Sequence, residues 1–390
     1  MKLAQSLVVF LFLLEGVLYM PPSQGSGGEA VPSLARPAVV AGGFVYVSGQ
    51  TGTDPADPVG GADIQTQTGR VIDRLQAALA GSGSSLAQTV SVNVFLSRAT
   101  DFEAMNNVYR QRFAEAPPTR TTIVAGLGRD ALVQMSAVAV PVGTSREVLH
   151  PAGWMKSPRP YSYIVRAGGL VFFSGLLSRR GTDDQVVPGP IGTQVKQILE
   201  NAGMLLKTAG LTYRDVVAAR VYLTDDSYFE GMNDVYRTYF STEPPARATA
   251  VSTLVGSDTI AEFTFVASTT PKQVLGPTVA PSLPISTAVR VGPRVFLSGV
   301  VGNTDANAGD LAAQTREVFT RISRTLDLAG LTFSDVVDNT VYVTDIWQQA
   351  RAVDPIYREI FPSSPPARTV FGARMPARAS LIEMMMTAAR

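Results

Sequence analysis

The sequence predicts an α+β protein of three ββαβαββ units, helices on one face of each mixed sheet, with the three sheets facing one another about a pseudo-threefold axis. Three observations carry this. Pro117-Pro118-Thr119-Arg120, Pro244-Pro245-Ala246-Arg247 and Pro365-Pro366-Ala367-Arg368 each follow a short aromatic stretch and lead into an alternating, strand-like segment. Colinear with them recur Ser48-Gly49, Ser174-Gly175 and Ser298-Gly299; Gln67, Gln194 and Gln314; and Tyr109, Tyr236 and Tyr357. The copies stand a domain's length apart, far beyond the roughly 20 to 50 residues of a solenoid repeat. Three sheets that are each covered on one side must still bury the other, and mutual contact is the economical way to do it.

The elements follow in order. Phe44-Val45-Tyr46-Val47, Leu170-Val171-Phe172-Phe173 and Arg294-Val295-Phe296-Leu297 are β-rich runs that stop at Ser-Gly, the first two after Gly42-Gly43 and Gly168-Gly169 turns. Next, Val71, Ile72, Leu75 and Leu79 recur as Ile198, Leu199, Ala202 and Leu206, and as Val318, Phe319, Ile322 and Leu326. That spacing puts them on one face of a helix. Ala209-Gly210 and Ala329-Gly330 supply stops. Val94-Phe95-Leu96, Val221-Tyr222-Leu223 and Val341-Tyr342-Val343 are third strands, and Phe229, Met232, Tyr236 and Phe240 mark a second helix in the middle unit. Two strands after the Pro-Pro-x-Arg turn close each unit.

Composition bounds the function. Over 390 residues, 45% hydrophobic and 17% charged content with 26 prolines describes a folded body rich in turns. A net charge of +1 without a basic run argues against nucleic acid as a partner. With no cysteine and His150 as the one histidine, a His/Cys metal site is excluded on residue count. Residues 1–30 differ in kind: Lys2, an apolar stretch from Leu7 to Met20, then a small and polar segment predict a secretory signal peptide and a secreted or periplasmic protein. An uncleaved anchor, a displaced start and a cytoplasmic location are the alternatives. Glu15 and the short span argue against stable membrane insertion.

The Ser-Gly strand ends, the Asn233-x-x-Tyr236 helix, the Pro-Pro-Ala-Arg turns and the Ile382-Glu383-Met384 strand resemble the RidA family over residues 31–390. The resemblance implies RidA-like (chorismate-mutase-like) domains at 31–142, 151–270 and 276–390, helices outside and sheets inside. It implies a trimer written as one polypeptide, so that a monomer acts as a pseudo-trimer.

The chemistry centres on the last two strands of a unit. Arg247 and Glu262 are spaced about a turn-like segment as Arg368 and Glu383 are, and antiparallel pairing there would set each arginine roughly opposite the glutamate of its own unit. A guanidinium grips both oxygens of a carboxylate, and a nearby carboxylate takes a proton from water. An ion pair that only fixes contact between units is the bland alternative. The resemblance implies an enamine/imine deaminase that hydrolyses small 2-imino or 2-enamino acids, such as 2-iminopropanoate and 2-aminoacrylate, to 2-oxo acids and ammonia. It implies no metal or organic cofactor and a small carboxylate-bearing metabolite as partner. It further implies that Arg120, Arg247 and Arg368 bind the carboxylate and Glu262 and Glu383 activate water, with Tyr161, Asn106, Asn233 and the backbone of Gly49, Gly175 and Gly299 lining clefts between units.

The units are unequal. The middle one matches the pattern best. The third has Ile285 at the tyrosine position and Asp354 at the asparagine position; the first has Ala35 at the tyrosine position and Gln134 at the acid position, after a turn one residue shorter. Glutamine cannot take a proton from water, so at most two of three clefts are expected to turn over. Two other readings stand beside the deaminase: a non-catalytic metabolite-binding or holdase protein, motivated by Gln134, Ile285 and Asp354, and a ribonuclease, disfavoured by the neutral charge and by the lack of histidines for acid–base work beyond the linker residue His150. Tyr109, Tyr236 and Tyr357 read as core, Met384 to Met386 as a strand entering the inter-unit core, and Trp154 and His150 as incidental linker residues. The Ser178–Gly192 loop reads as a specificity element or a mere insertion.

Overall fold

Each unit forms its strands and helices in the predicted order. The computed structural model describes residues 34–57, 61–128, 130–256, 258–279 and 282–390; the leader predicted over residues 1–30 lies outside them. In unit 1, β1 (Ala38–Ala41) and β2 (Phe44–Thr51) make a hairpin, followed by α1 (Ile64–Ala80), β3 (Thr89–Leu96), α2 (Phe102–Arg112), β4 (Thr119–Val124) and β5 (Val133–Ala139). The hairpin turn holds Gly42 and Gly43 at φ of 55° and 82°, a backbone that only glycine adopts freely. A linker strand β6 (Arg146–Leu149) precedes unit 2, which runs β7 (Ile164–Ala167), β8 (Leu170–Phe173), α3 (Ile191–Thr208), β9 (Val216–Leu223), α4 (Phe229–Tyr239), β10 (Ala246–Val251), β11 (Thr253–Leu254) and β12 (Ala261–Ser268). A second linker strand, β13 (Gln273–Thr278), leads to β14 (Ser286–Val291), β15 (Arg294–Leu297), β16 (Val300–Val301), α5 (Leu311–Leu328), β17 (Val336–Val343), α6 (Gln349–Ala352), α7 (Asp354–Ile360), β18 (Ala367–Gly372) and β19 (Ile382–Ala389). Pro355, without an N–H and with a ring that clashes four residues back, breaks the last helix into α6 and α7.

Sheet order places the arginine strand at a seam. In unit 1 it is β1-β2-β5-β3-β4, and the other units repeat it. The helix between β3 and β4 returns the chain to its starting end, so β4 pairs parallel to β3, as β10 does to β9 and β18 to β17. The last strand inserts antiparallel between the hairpin and the third strand. Both linkers are structured: β6 adds to β7 and β13 to β14. β11 leaves unit 2 and pairs with β4 of unit 1, and bridges join Gly126 to Gly372 and Val251 to Arg374. Backbone contacts therefore link all three units.

Residues 33–390 gather into one unit with four apolar cores. Three lie between a sheet and its own helices, where α1 seats Val71, Ile72, Leu75 and Leu79. The fourth lies between sheets and draws on Phe95 and Tyr46, on Phe172 and Tyr222, and on Tyr342, Phe371 and Met385. The methionine run divides by strand alternation: Met385 enters the shared core, while Met384 and Met386 pack under the helices of unit 3. The repeated glutamines are buried staples. Gln194 accepts from the Ile260 N–H at 3.0 Å and donates to Gly189 O; Gln67 and Gln314 hold Leu132 and Leu381 the same way.

Candidate functional site

The arginine and glutamate of one unit do not face each other. β9 runs between β10 and β12, with Arg247 beside Ala219 and Glu262 beside Tyr222. Tyr222 stands three positions after Ala219, an odd offset, so strand alternation sends the two to opposite faces. Ala219 lies in the helix-side core and Tyr222 in the inter-sheet core. The same-unit pairing expected from the sequence is thus replaced by pairing across seams, Arg120 with Glu262 and Arg247 with Glu383, while Arg368 docks on Ser48 of unit 1 beside the Gly49 that Gln134 contacts.

One local device builds each seam. The Arg120 N–H donates to Ser174 Oγ at 2.9 Å, Arg247 N–H to Ser298 Oγ and Arg368 N–H to Ser48 Oγ, all from one unit to another. The next N–H after the serine returns the contact: Gly175 donates to Arg120 O and Gly299 to Arg247 O, each at 3.0 Å. Glycine is required there because a Cβ on Gly175 would collide with Glu262 Oε1, and one on Gly299 with Glu383 Oε1. Gln134 and Thr369 crowd Gly49 at the third seam. Below each guanidinium lies the repeated tyrosine ring, 4.8 Å from Arg120 (Tyr109), 4.7 Å from Arg247 (Tyr236) and 4.1 Å from Arg368 (Tyr357). The tyrosines are core, as expected, and also platforms for cation–π contact.

The three seams differ in what remains for a ligand. At the first, Arg120 is 4% exposed and its Nη1 has no hydrogen-bond partner among the described residues; neither amide atom of the buried Asn106 has one. Tyr161, Gly175, Thr122 and Glu262 line the same cavity of about 190 Å³. At the second, Asn233 Oδ1 accepts from Arg247 Nη2 at 2.7 Å, and Arg247 is 1% exposed. At the third, Asp354 Oδ1 stands 2.9 Å from Arg368 Nη2, a buried ion pair that neutralises the guanidinium internally. Burial pushes the Glu262 carboxyl up to about 8, against the opposing pull of the Thr122 N–H and Arg120. Glu383 is pushed up to about 8 by the same cause, against the Thr249 N–H and Arg247.

Comparison with known proteins fits this architecture. The family model described as Endoribonuclease L-PSP matches residues 29–141, 154–268 and 277–390. This chain belongs to the RidA family, as three tandem domains. A RutC family protein of Pyrococcus horikoshii is 33% identical over 122 residues, 31% of this chain and 97% of its own. A 2-iminobutanoate/2-iminopropanoate deaminase of Bos taurus is 38% identical over 103 residues, 26% of this chain and 75% of its own. A solved chorismatase aligns over 77% of this chain and 93% of its own at TM-score 0.51 and 14% identity, which shows a shared fold alone.

Within this RidA-family chain the best-matching unit does not make one site. Its Tyr161, Gly175 and Glu262 face Arg120 of unit 1, while its Asn233 and Arg247 face Glu383 and Gly299 of unit 3. Ile285 lies in the third unit, where Tyr161 stands in the second, and Ala35 takes that position in the first. Sequence reasoning missed Trp154, Arg159 and Tyr163, which line the first cavity with Arg179 and Arg180 of the Ser178–Gly192 loop. Trp154 packs edge-on to Tyr163, with ring centres 5.1 Å apart, so the linker tryptophan is part of the site wall. Among the described residues no cluster of three or more His, Cys, Asp or Glu could hold a metal, and no helix is long and apolar enough to cross a membrane.

Proposed function

We propose that the first cleft hydrolyses 2-imino and 2-enamino acids to 2-oxo acids and ammonia, with Arg120 of unit 1 holding the carboxylate and Glu262 of unit 2 moving protons. The observation that carries this is a buried guanidinium with an unpartnered Nη1 and a buried carboxyl lining one cavity at one seam. The likeness to the deaminase of Bos taurus supports it.

An enamine first needs a proton on its terminal carbon, and a carboxyl pushed up to about 8 carries one at neutral pH. The resulting iminium is attacked at C2 by water. As the C–O bond forms, the carboxylate of Glu262 takes one water proton and the C=N π pair moves to nitrogen. Glu262 then returns that proton to the amino nitrogen, the C–N bond breaks, and the hydroxyl proton leaves with ammonia as C=O forms. Iminium and water thus give a 2-oxo acid and ammonium, with no other reactant. The second cleft keeps the Arg247 and Glu383 pair and is assigned a smaller share, its arginine being held by Asn233.

The test is ammonia release from 2-iminopropanoate or 2-aminoacrylate generated by a coupled enzyme. Arg120→Ala and Glu262→Gln should each lower the first cleft's rate about 100-fold, in the range typical for a lost proton-transfer group, leaving the second cleft's smaller share as the residual activity. Arg368→Ala should leave it unchanged. Equal rates in the wild type and both first-cleft variants would reject the assignment.

A further inference from the structure

The first cavity is more cationic and more aromatic than a three-carbon acid needs, and we infer that it accepts a 2-imino or 2-enamino acid bearing a second anionic group on a flat, unsaturated body. This rests on the reading of the first cleft as the substrate site. Arg120, the carboxylate partner in that reading, lines it and stacks on the core ring of Tyr109 behind it. A second cationic centre lines the same cavity. Arg159 and Arg179 both aim Nη1 at Asp184 Oδ2, at 3.0 and 3.4 Å. Two guanidinium groups on one carboxylate oxygen leave a positive charge over, and Arg179 Nε is buried without a partner among the described residues.

The other charges do not cancel it. Arg180 is paired with Asp183 at 2.7 Å, and Glu103 lines the cavity from an exposed position where solvent and salt screen it. The remaining wall is aromatic: Trp154 and Tyr161 each stand edge-on to Tyr163, at ring-centre distances of 5.1 and 5.6 Å. Such walls favour a planar body over a branched one. A cavity of about 190 Å³ is far larger than the ~10–15 Å³ that holds a single water, so it has room beyond a methyl group and a carboxylate.

This equipment belongs to unit 2 alone. Counted from the Ser-Gly strand end, Arg179-Arg180 stand where unit 1 has Thr53-Asp54 and unit 3 has Asn303-Thr304. Tyr161 stands where they have Ala35 and Ile285. The basic pair thus stands at the cleft whose arginine has neither an Asn233-type nor an Asp354-type side-chain partner.

Binding of 2-oxo acid products to the intact protein, by calorimetry at low ionic strength, tests this without needing turnover. 4-Carboxyphenylpyruvate should bind about tenfold or more tighter than phenylpyruvate, since a desolvated carboxylate–guanidinium contact is charge-assisted. Arg159→Gln and Arg179→Gln should each pull that ratio toward one, while Arg159→Lys should retain most of it. A wild-type ratio near one, or a ratio unmoved in both glutamine variants, overturns the inference. Ammonia release from the imines of 4-carboxyphenylalanine and phenylalanine, made by one amino-acid oxidase, separates it from the deaminase reading. A retained binding ratio with no turnover of either imine upholds the dianion site and sinks the deaminase; turnover of both without any binding preference does the reverse.

Discussion

At the residue scale, burial decides what Glu262 can do at a given pH. Its carboxyl is pushed up to about 8, so in the free protein the proton-accepting form is scarce at neutral pH. For a preformed iminium, kcat/KM, which reports the free protein, should climb from about pH 6 and level above about 8. A flat profile would remove Glu262 as the base. The same shift acts on stability with the opposite slope. Between the ordinary value of 4.5 and about 8 the folded protein keeps a proton that the unfolded chain has released, so folding weakens as pH rises through that window. Glu383 adds a second contribution of the same sign. The melting temperature should therefore fall from about pH 5 to 8, and Glu262→Gln should remove part of the slope; an unaltered slope would mean the carboxyl titrates normally. Gly175 fits this picture, since only a missing Cβ lets Glu262 Oε1 come so near the seam.

At the element scale, the glutamines on the first helices tie the site to the scaffold. Gln194 on α3 bonds the N–H of Ile260, just before the strand that carries Glu262, and the carbonyl of Gly189. Gln194→Leu leaves both backbone groups unpaired in a buried place, which costs about 1–3 kcal/mol per unsatisfied group. A lower melting temperature with weaker substrate binding is expected; an unchanged melting temperature would make the staple ornamental. The glutamines, helix faces and Ser-Gly ends were legible in the sequence because each is a local pattern repeated three times. The partner of each arginine was less so. A strand, a helix and a strand in succession already imply that β9 and β10 are parallel neighbours, but not that β12 then pairs with β9 and not with β10. That Arg247 and Glu262 point to opposite faces depends on register along β9, which spacing between the two residues does not reveal. Trp154 was illegible for another reason: a linker side chain has no periodicity to report its face, and its neighbour Tyr163 comes from beyond the Pro158–Pro160 bend.

At the scale of the whole molecule, fusion lets three copies do different things at matching places. Asn93, Arg220 and Thr340 occupy one position on the third strands, and Ser91, Ala218 and Asp338 another; all six line a cavity of about 60 Å³ among the three sheets. Three identical chains would set three arginines or three aspartates there and pay like-charge repulsion. Here one Arg220 opposes the burial that pushes Asp338 up to about 6. The seams show the same divergence: Arg368 is neutralised by Asp354, and Gln134 stands where an acid would act. If these two departures are what silence the third seam, undoing both should restore chemistry there. In a Glu262→Gln, Glu383→Gln background, which leaves no carboxyl at the Glu262 position of any seam, adding Gln134→Glu with Asp354→Asn should return ammonia release to at least about tenfold above that background, tenfold being about 1.4 kcal/mol of barrier. Gln134→Glu alone should not, because Asp354 still occupies Arg368. Recovery with Gln134→Glu alone would refute the blocking role of Asp354. No recovery with both would assign the silence to the two departures of unit 1 left in place, Ala35 at the tyrosine position and the shortened turn before Gln134, which sets where the new carboxylate lies relative to Gly49.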